Sequence, residues 1–145
     1  MIPGCIQAQE HDRVFDLSAG NAGTDSTCDR QNDADLEPTT DNDGVCIVSL
    51  TAPGEWVSFG MYSVNGGEFD ITLRVASGLS PSGEAATIAV RINEQTIVDS
   101  IEVRNLIWSQ FQNIKIPNVS IADGNQTMKV SLTTDFVNLN YIDFE

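Results

Sequence analysis

The sequence predicts an all-β protein, a β-sandwich jelly roll of two antiparallel sheets. Apolar and polar residues alternate with a period of two at 69–75, 88–93 and 128–133. Successive side chains of a strand point to opposite faces, so each run has one core face and one exposed face. Turn-forming residues separate the runs, at Pro53-Gly54, Asn65-Gly66-Gly67, Pro81-Ser82-Gly83 and Asp123-Gly124-Asn125. Strands joined by short turns are typical of sandwiches.

The strands are predicted in order from this pattern. We place them at 5–10, 13–17, 34–37, 45–51, 56–63, 68–76, 86–93, 96–103, 111–117, 127–134 and 138–144. Val, Ile, Thr and aromatic residues fill the alternating runs, as strands prefer. The core face of the 68–76 strand is expected to carry Phe69, Ile71, Leu73 and Val75.

Length and charge limit the function classes. The chain has 145 residues, which fits one domain with a sizeable core. Its 7 Lys and Arg against 21 Asp and Glu give a net charge of −14, which argues against nucleic acid or an anionic membrane as a partner. The single His11 argues against multi-histidine zinc sites and against a Ser–His–Asp triad. No apolar run approaches the length of a membrane span.

The segment from Gly20 to Gly44 differs from the rest because it is polar and acidic. A solvated surface loop is the simplest interpretation. The run 39–44 resembles half of an EF-hand, but Thr39 and Leu50 stand where carboxylate ligands are required, so that motif fails. Long loops on a rigid scaffold are also where binding residues concentrate.

Seven short segments in the same order resemble family 6 carbohydrate-binding modules, which have a galactose-binding-like β-sandwich. They are Ile6-Gln7-Ala8-Gln9-Glu10, Gly20-Asn21-Ala22-Gly23, Ala34-Asp35-Leu36-Glu37, Gly54-Glu55-Trp56-Val57-Ser58-Phe59, Leu73-Arg74-Val75-Ala76-Ser77, Trp108-Ser109-Gln110-Phe111 and Asn138-Leu139-Asn140-Tyr141-Ile142-Asp143-Phe144. The resemblance implies a module that binds polysaccharide without cleaving it. It also implies a sugar site in loops at one end of the sandwich and a structural calcium.

The sugar site implied by the resemblance centres on Trp108, whose flat ring could stack on the C–H face of a pyranose. Asn138, at the start of the last strand, would hydrogen-bond to sugar hydroxyls. The family often has a second aromatic wall, but Cys28 stands at that position here. We therefore expect the polar residues Arg30, Asn32 and Asp33 to form that wall.

Cys28 has a possible disulfide partner in Cys46, which would fasten the loop to a strand. The pairings Cys5–Cys46 and Cys5–Cys28 remain open, since three cysteines form at most one disulfide.

The implied structural calcium would be held by Gln7, Gln9 and Asn140. If 5–10 is a strand, Gln7 and Gln9 share a face, and amide oxygens are suitable calcium ligands. The family usually has Glu where this chain has Gln9, and the lost charge should weaken the site.

We interpret residues 1–4 as a cloning or linker remnant and residues 5–145 as the carbohydrate-binding module. The expected ligand is a neutral β-linked plant or algal polysaccharide. The expected partner is a catalytic glycoside hydrolase domain of the same parent chain, which would be secreted. The alternatives are a galactose-binding-like sandwich that recognises a protein or glycoprotein, and a small jelly-roll lyase or hydrolase, although no motif singles out a catalytic carboxylate pair.

Overall fold

The computed structural model describes residues 1–23, 27–78, 80, 83–134 and 137–145. Each of the predicted strand segments overlaps a strand. They are β1 (Gly4–Gln7), β2 (Arg13–Phe15), β3 (Leu36–Pro38), β4 (Cys46–Val48), β5 (Trp56–Ser63), β6 (Gly67–Ser77), β7 (Ala86–Ile92), β8 (Gln95–Val103), β9 (Gln112–Ile121), β10 (Gly124–Leu132) and β11 (Val137–Phe144). Of the predicted turns, Pro81 and Ser82 lie outside the described residues.

The strands form two antiparallel sheets, which confirms the predicted sandwich. One sheet has the order β3-β4-β11-β6-β9, and β1 also pairs with β11. The other sheet has the order β2-β5-β10-β7-β8. The inward residues of both sheets form one core, as the alternation predicts; Ile71, Leu73, Ile88, Met128 and Ile142 are among its fully buried members.

The predicted 5–10 strand is wrong in its second half. The chain forms β1 up to Gln7 and then a 3-10 helix, Ala8–Glu10. Because β1 belongs to the six-stranded sheet and β2 to the five-stranded sheet, the chain must cross the sandwich here. The buried side chain of Ala8 anchors this crossing. Gln7 and Gln9 are therefore not alternate residues of one strand.

Residues 2–4 pack as part of the domain. Ile2 is fully buried, and its N–H donates to the carbonyl of Tyr62 at 2.8 Å. Gly4 pairs with Phe144 in the six-stranded sheet. The origin of residues 1–4 as a remnant stays a prediction.

A disulfide joins Cys28 to Cys46, and Cys5 is unpaired and exposed. The pairing fastens the loop before β3 to β4, and it is the first of the three pairings that the sequence left open. Over the described ranges, no helix has the length and apolar character that a membrane span requires.

Candidate functional site

One groove lies on the outer side of the six-stranded sheet, between the β3–β4 and β8–β9 connections. Its volume is about 230 Å³. Trp108 and Asn138, predicted from sequence as sugar contacts, both line it. We call it the Trp108 groove, and its lining residues are Glu37, Pro38, Thr39, Thr40, Asp41, Ile47, Trp108, Ser109, Phe111 and Asn138.

The position of Trp108 is set by backbone contacts around it. The Asn138 side-chain amide donates to the Trp108 carbonyl at 3.4 Å. Leu106 donates its N–H to the carbonyl of Ser77 at 2.8 Å, which holds the connection against the end of β6. A Cβ at Gly78 would lie 2.6 Å from the Ile107 Cα, so this close approach requires glycine. The tryptophan is thereby held by the sheet rather than by a free loop.

Asp41 fixes the opposite edge of the Trp108 groove. Arg74 donates to both of its carboxylate oxygens, from Nε at 2.8 Å and from Nη2 at 2.6 Å. Its hydrogen bond with Arg74 holds the pKa of Asp41 below its ordinary value. The same guanidinium lies over the Phe111 ring, 5.7 Å from its centroid. These contacts keep the groove wall in place without a ligand.

Three buried amide oxygens belong to β1, the 3-10 helix and β11. They are Oε1 of Gln7, Oε1 of Gln9 and Oδ1 of Asn140, and none accepts a hydrogen bond from any described residue. A buried acceptor without a partner is costly, so each calls for an explanation. These are the three residues that the sequence predicted as calcium ligands.

Gln7 and Asn140 both contact the β3–β4 connection. The Gln7 amide donates to the Asp43 carbonyl at 2.8 Å, and the Asn140 amide donates to Asp41 Oδ2 at 2.7 Å. A Cβ at Gly44 would lie 2.1 Å from Asn140 Oδ1, so only glycine leaves that oxygen its space. The donor set therefore fits a hard cation. The described residues contain no cluster of three or more His, Cys, Asp or Glu side chains able to hold a metal.

Arg30, Asn32 and Asp33 do not line the Trp108 groove. Arg30 donates from Nη1 to the carbonyls of Gln9 at 2.5 Å and His11 at 2.7 Å. Asn32 lies 3.1 Å from the His11 ring nitrogen, and Asp33 accepts from the Gly20 N–H at 2.9 Å. Arg30 and Asn32 therefore brace the loop against the 3-10 helix and His11, and Asp33 links two parts of the loop. A sugar contact by any of them stays a prediction.

A second groove, of about 680 Å³, lies on the outer face of the five-stranded sheet. We call it the Trp56 groove, and it is lined by Asp12, Arg13, Trp56, Ser58, Gly60, Asn93, Glu94, Thr127 and Lys129. The alternation of Trp56, Ser58, Gly60 and Tyr62 along β5 indicates an outward surface here, which an exposed Tyr62 could share, although an isolated exposed aromatic was the preferred interpretation of Tyr62. Tyr62 is 47% exposed on the same strand.

Trp56 has a close aromatic neighbour on one adjacent strand and a close basic neighbour on the other. Phe15, opposite it on β2, stacks with it at a centroid distance of 6.2 Å and an interplanar angle of 18°. On the other neighbouring strand, Lys129 places its ammonium 4.3 Å from the Trp56 ring centroid. This is a cation–π geometry.

Comparisons with known proteins agree on the fold. Residues 26–145 match the family model described as carbohydrate binding module (family 6). The module CBM6cm-2 from Cellvibrio mixtus lichenase 5A, in complex with cellotriose, matches with a TM-score of 0.73 and 19% identity over 100% of this chain and 98% of that chain. The C-terminal module of LamC, a marine laminarinase from Zobellia galactanivorans, matches with a TM-score of 0.72 and 18% identity over 95% and 94%.

A third solved structure is a CBM36 module in complex with calcium and xylotriose. Its TM-score is 0.63 at 18% identity, over 97% of this chain and 98% of that chain. A comparison with the curated proteins finds no match. The family model spans most of the chain and the described strands form the same sandwich, so the chain belongs to family 6 of the carbohydrate-binding modules.

Proposed function

We propose that the chain is a non-catalytic module that binds a neutral β-linked polysaccharide in the Trp108 groove. The observation that carries the proposal is the meeting of Trp108 and Asn138 in one groove. A flat indole offers a stacking surface, and an amide offers both donors and an acceptor to hydroxyl groups. The cellotriose complex of a solved structure with the same fold supports this ligand class.

The module would direct a glycoside hydrolase to its substrate. The modules of similar fold come from a lichenase and a laminarinase. By this analogy we propose a catalytic neighbour in the same parent chain and a secreted location.

Calcium would be held by Gln7, Gln9 and Asn140. An ion there would satisfy three buried oxygens and cross-link β1, the 3-10 helix and β11. Amide ligands are neutral, so the site would be weaker than one that includes a carboxylate. The calcium in the CBM36 structure supports the choice of ion.

The test is calorimetric titration of the protein with xylan, β-glucan and agar oligosaccharides. We expect one neutral glycan to bind, and Trp108→Ala to weaken its binding about tenfold or more, because the stacking surface is lost. Trp56→Ala is the matched control, since it removes the other tryptophan from the opposite sheet.

Undiminished binding by Trp108→Ala would refute the site. A protein that binds none of the glycans would favour the alternative, recognition of a protein or glycoprotein partner. Release of reducing sugar by the pure protein would contradict the non-catalytic assignment.

A further inference from the structure

A sequon for N-linked glycosylation, Asn125-Gln126-Thr127, lies at the start of β10. The pattern is Asn, any residue except Pro, and Ser or Thr, and its modification belongs to secreted proteins. So short a pattern often arises by chance. The place of the asparagine in the fold therefore decides whether the protein can carry a glycan there.

The acceptor and the hydroxyl residue both face solvent, while the residue between them is held inside the protein. Asn125 and Thr127 are exposed, and Gln126 is buried. The Gln126 side-chain amide donates to the carbonyls of Ala122 at 3.0 Å and Asp123 at 3.2 Å. Because neighbouring residues of a strand point to opposite faces, this anchor keeps Asn125 and Thr127 on the outer face. A glycan on Asn125 would displace no side chain from the core.

An exposed aromatic residue lies directly across the sheet from Asn125. Tyr62 on β5 is its register partner, and Tyr62 is 47% exposed. Residues in such a pair share a face, with Cβ atoms about 5 Å apart. An aromatic ring offers a flat apolar surface on which the C–H face of a sugar can pack. The first sugar linked to Asn125 would therefore lie within reach of the Tyr62 ring and shield it from water.

The position of Asn125 leaves the Trp108 groove open. Asn125 lies near the start of β10 and Leu132 at its end, so about 23 Å of strand separates them. The chain reaches the groove residue Asn138 only after the Leu132 end. In addition, β10 belongs to the five-stranded sheet, whereas the Trp108 groove lies on the six-stranded sheet. A glycan on Asn125 would not compete with a ligand there.

We propose that Asn125 is an N-glycosylation site whose first sugar packs against Tyr62. The donor is a lipid-linked oligosaccharide diphosphate. A bond forms between Asn125 Nδ2 and C1 of the first sugar, and the bond from C1 to the diphosphate oxygen breaks. The lipid diphosphate leaves with that electron pair, Nδ2 loses one proton to a base of the transferase, and nothing is oxidised or reduced. The inference rests on the secreted location proposed above and is independent of the ligand in the Trp108 groove.

The second sequon of the chain, Asn118-Val119-Ser120, provides an internal comparison. Asn118 is also exposed, on the edge strand β9. Its N–H donates to Asp70 Oδ1 at 3.0 Å, so its neighbour on β6 is a carboxylate rather than an aromatic ring. We therefore expect a sugar on Asn125 to stabilise the fold more than a sugar on Asn118.

The test secretes the full chain from yeast cells behind a cleavable secretion signal. Enzymatic release of glycans in heavy-oxygen water, followed by mass spectrometry of peptides, identifies each modified asparagine. We expect Asn125 to be modified. Thr127→Ser should keep the modification and Thr127→Val should abolish it, because the sequon requires a hydroxyl residue.

A second measurement tests the packing on Tyr62. The secreted protein, with its glycans trimmed to the first sugar, is compared with the same chain made without glycans in the bacterial periplasm. We expect the sugar to raise the thermal unfolding midpoint by about 2–4 °C, as one aromatic stacking contact would in a domain of this size. Tyr62→Ala should remove this difference and leave the modification of Asn125 unchanged.

Asn118→Gln is the matched control, because it removes the other sequon and should leave the difference in midpoint unchanged. An unmodified Asn125 in the secreted protein would overturn the site, and a difference that persists in Tyr62→Ala would overturn the packing. Either result, with glycan binding still sensitive to Trp108→Ala, leaves the proposed function standing. A modified Asn125 in a protein that binds no polysaccharide would refute the proposed function and support the site.

Discussion

His11 illustrates how one residue ties a loop to the fold. Its side chain is 1% exposed, with Nδ1 3.1 Å from the Ala8 carbonyl and Nε2 3.1 Å from the Asn32 amide. The carbonyl needs a donor and the amide is a donor, so the ring is neutral with its proton on Nδ1. Burial lowers the pKa of His11, and the nearby Arg30 lowers it further, while the Ala8 carbonyl and Asp12 oppose this.

We predict that the free energy of unfolding decreases with acidification below about pH 6.5. The unfolded chain protonates His11 near its ordinary pKa of about 6.5, whereas the folded protein resists protonation, so acid favours unfolding. The largest slope from one such group is about 1.4 kcal/mol per pH unit. Denaturant unfolding between about pH 8 and pH 5 measures it.

His11→Gln is the control, because its amide cannot titrate in this range. Asp35 and Glu55 act in the opposite direction, since burial raises the pKa of each and stability from them is lost as pH rises. The contribution of His11 is therefore the slope of unfolding free energy against pH in the parent protein minus the slope in His11→Gln. Equal slopes would contradict the assignment to His11.

At the residue scale, the sequence predicted Trp108 and Asn138 for one site, and both line the Trp108 groove, while their roles as sugar contacts stay predictions. Gln7, Asn138 and Asn140 lie on strands, where the alternation fixes the direction of a side chain. Arg30, Asn32 and Asp33 could not be placed, because no period governs a loop. Arg30 and Asp33 contact backbone groups of Gln9, His11 and Gly20, and Asn32 contacts the His11 ring, partners that the residue types do not reveal.

At the element scale, the Cys28–Cys46 bond is the link between the long loop and β4. We predict that replacing both cysteines by Ala lowers the free energy of unfolding by about 3 kcal/mol, because the unfolded chain regains the freedom of a closed loop. For a domain of this size the midpoint should fall by roughly 6–12 °C. Thermal unfolding measures the change.

Cys5→Ser is the control for the disulfide variant. Cys5 is exposed and unpaired, so this change should alter stability by no more than about 0.5 kcal/mol. A reductant should lower the unfolding midpoint of the parent protein to that of the variant without Cys28 and Cys46. It should leave the midpoint of that variant unchanged. A midpoint that is insensitive to both treatments would contradict a stabilising role for the bond.

The proposed calcium ligands lie on β1, the 3-10 helix and β11, so we predict that calcium stabilises the contact between these elements. Chelation should lower the unfolding midpoint, because three buried oxygens would lose their ion. Gln9→Glu should raise calcium affinity by adding a charge to the ligand set, and Gln9→Leu should abolish the effect of chelation. Unfolding midpoints with and without calcium test all three proteins. A midpoint unaffected by chelator in the parent protein would refute the site.

Element existence was predictable, whereas the set of residues that line the second groove was not. The period of two, together with the turn residues, located the strands of the described residues, because that period follows from strand geometry alone. The register between strands was not predictable from this period, since it depends on which residues pair across neighbouring strands. Arg13, Lys129 and Arg91 are far apart in sequence and meet only because β2, β5, β10 and β7 are neighbours.

For the molecule as a whole, the two grooves lie on opposite outer surfaces of the sandwich. The Trp108 groove belongs to the six-stranded sheet and the Trp56 groove to the five-stranded sheet, with the core between them. A ligand in one groove therefore does not block the other. Residues 37–41 of the acidic 20–44 segment, which the charge pattern set apart, line the edge of the first groove.

The pairing of β1 with β11 makes the domain suitable for insertion into another protein. Gly4 lies opposite Phe144, so the entering and leaving segments are neighbouring strands, about 5 Å apart. A host protein could accommodate the whole sandwich between two adjacent residues of a surface loop, with little disturbance to its own backbone. The same adjacency would let a short peptide close the ends into a ring and allow new termini at the Asn65-Gly66 turn between β5 and β6.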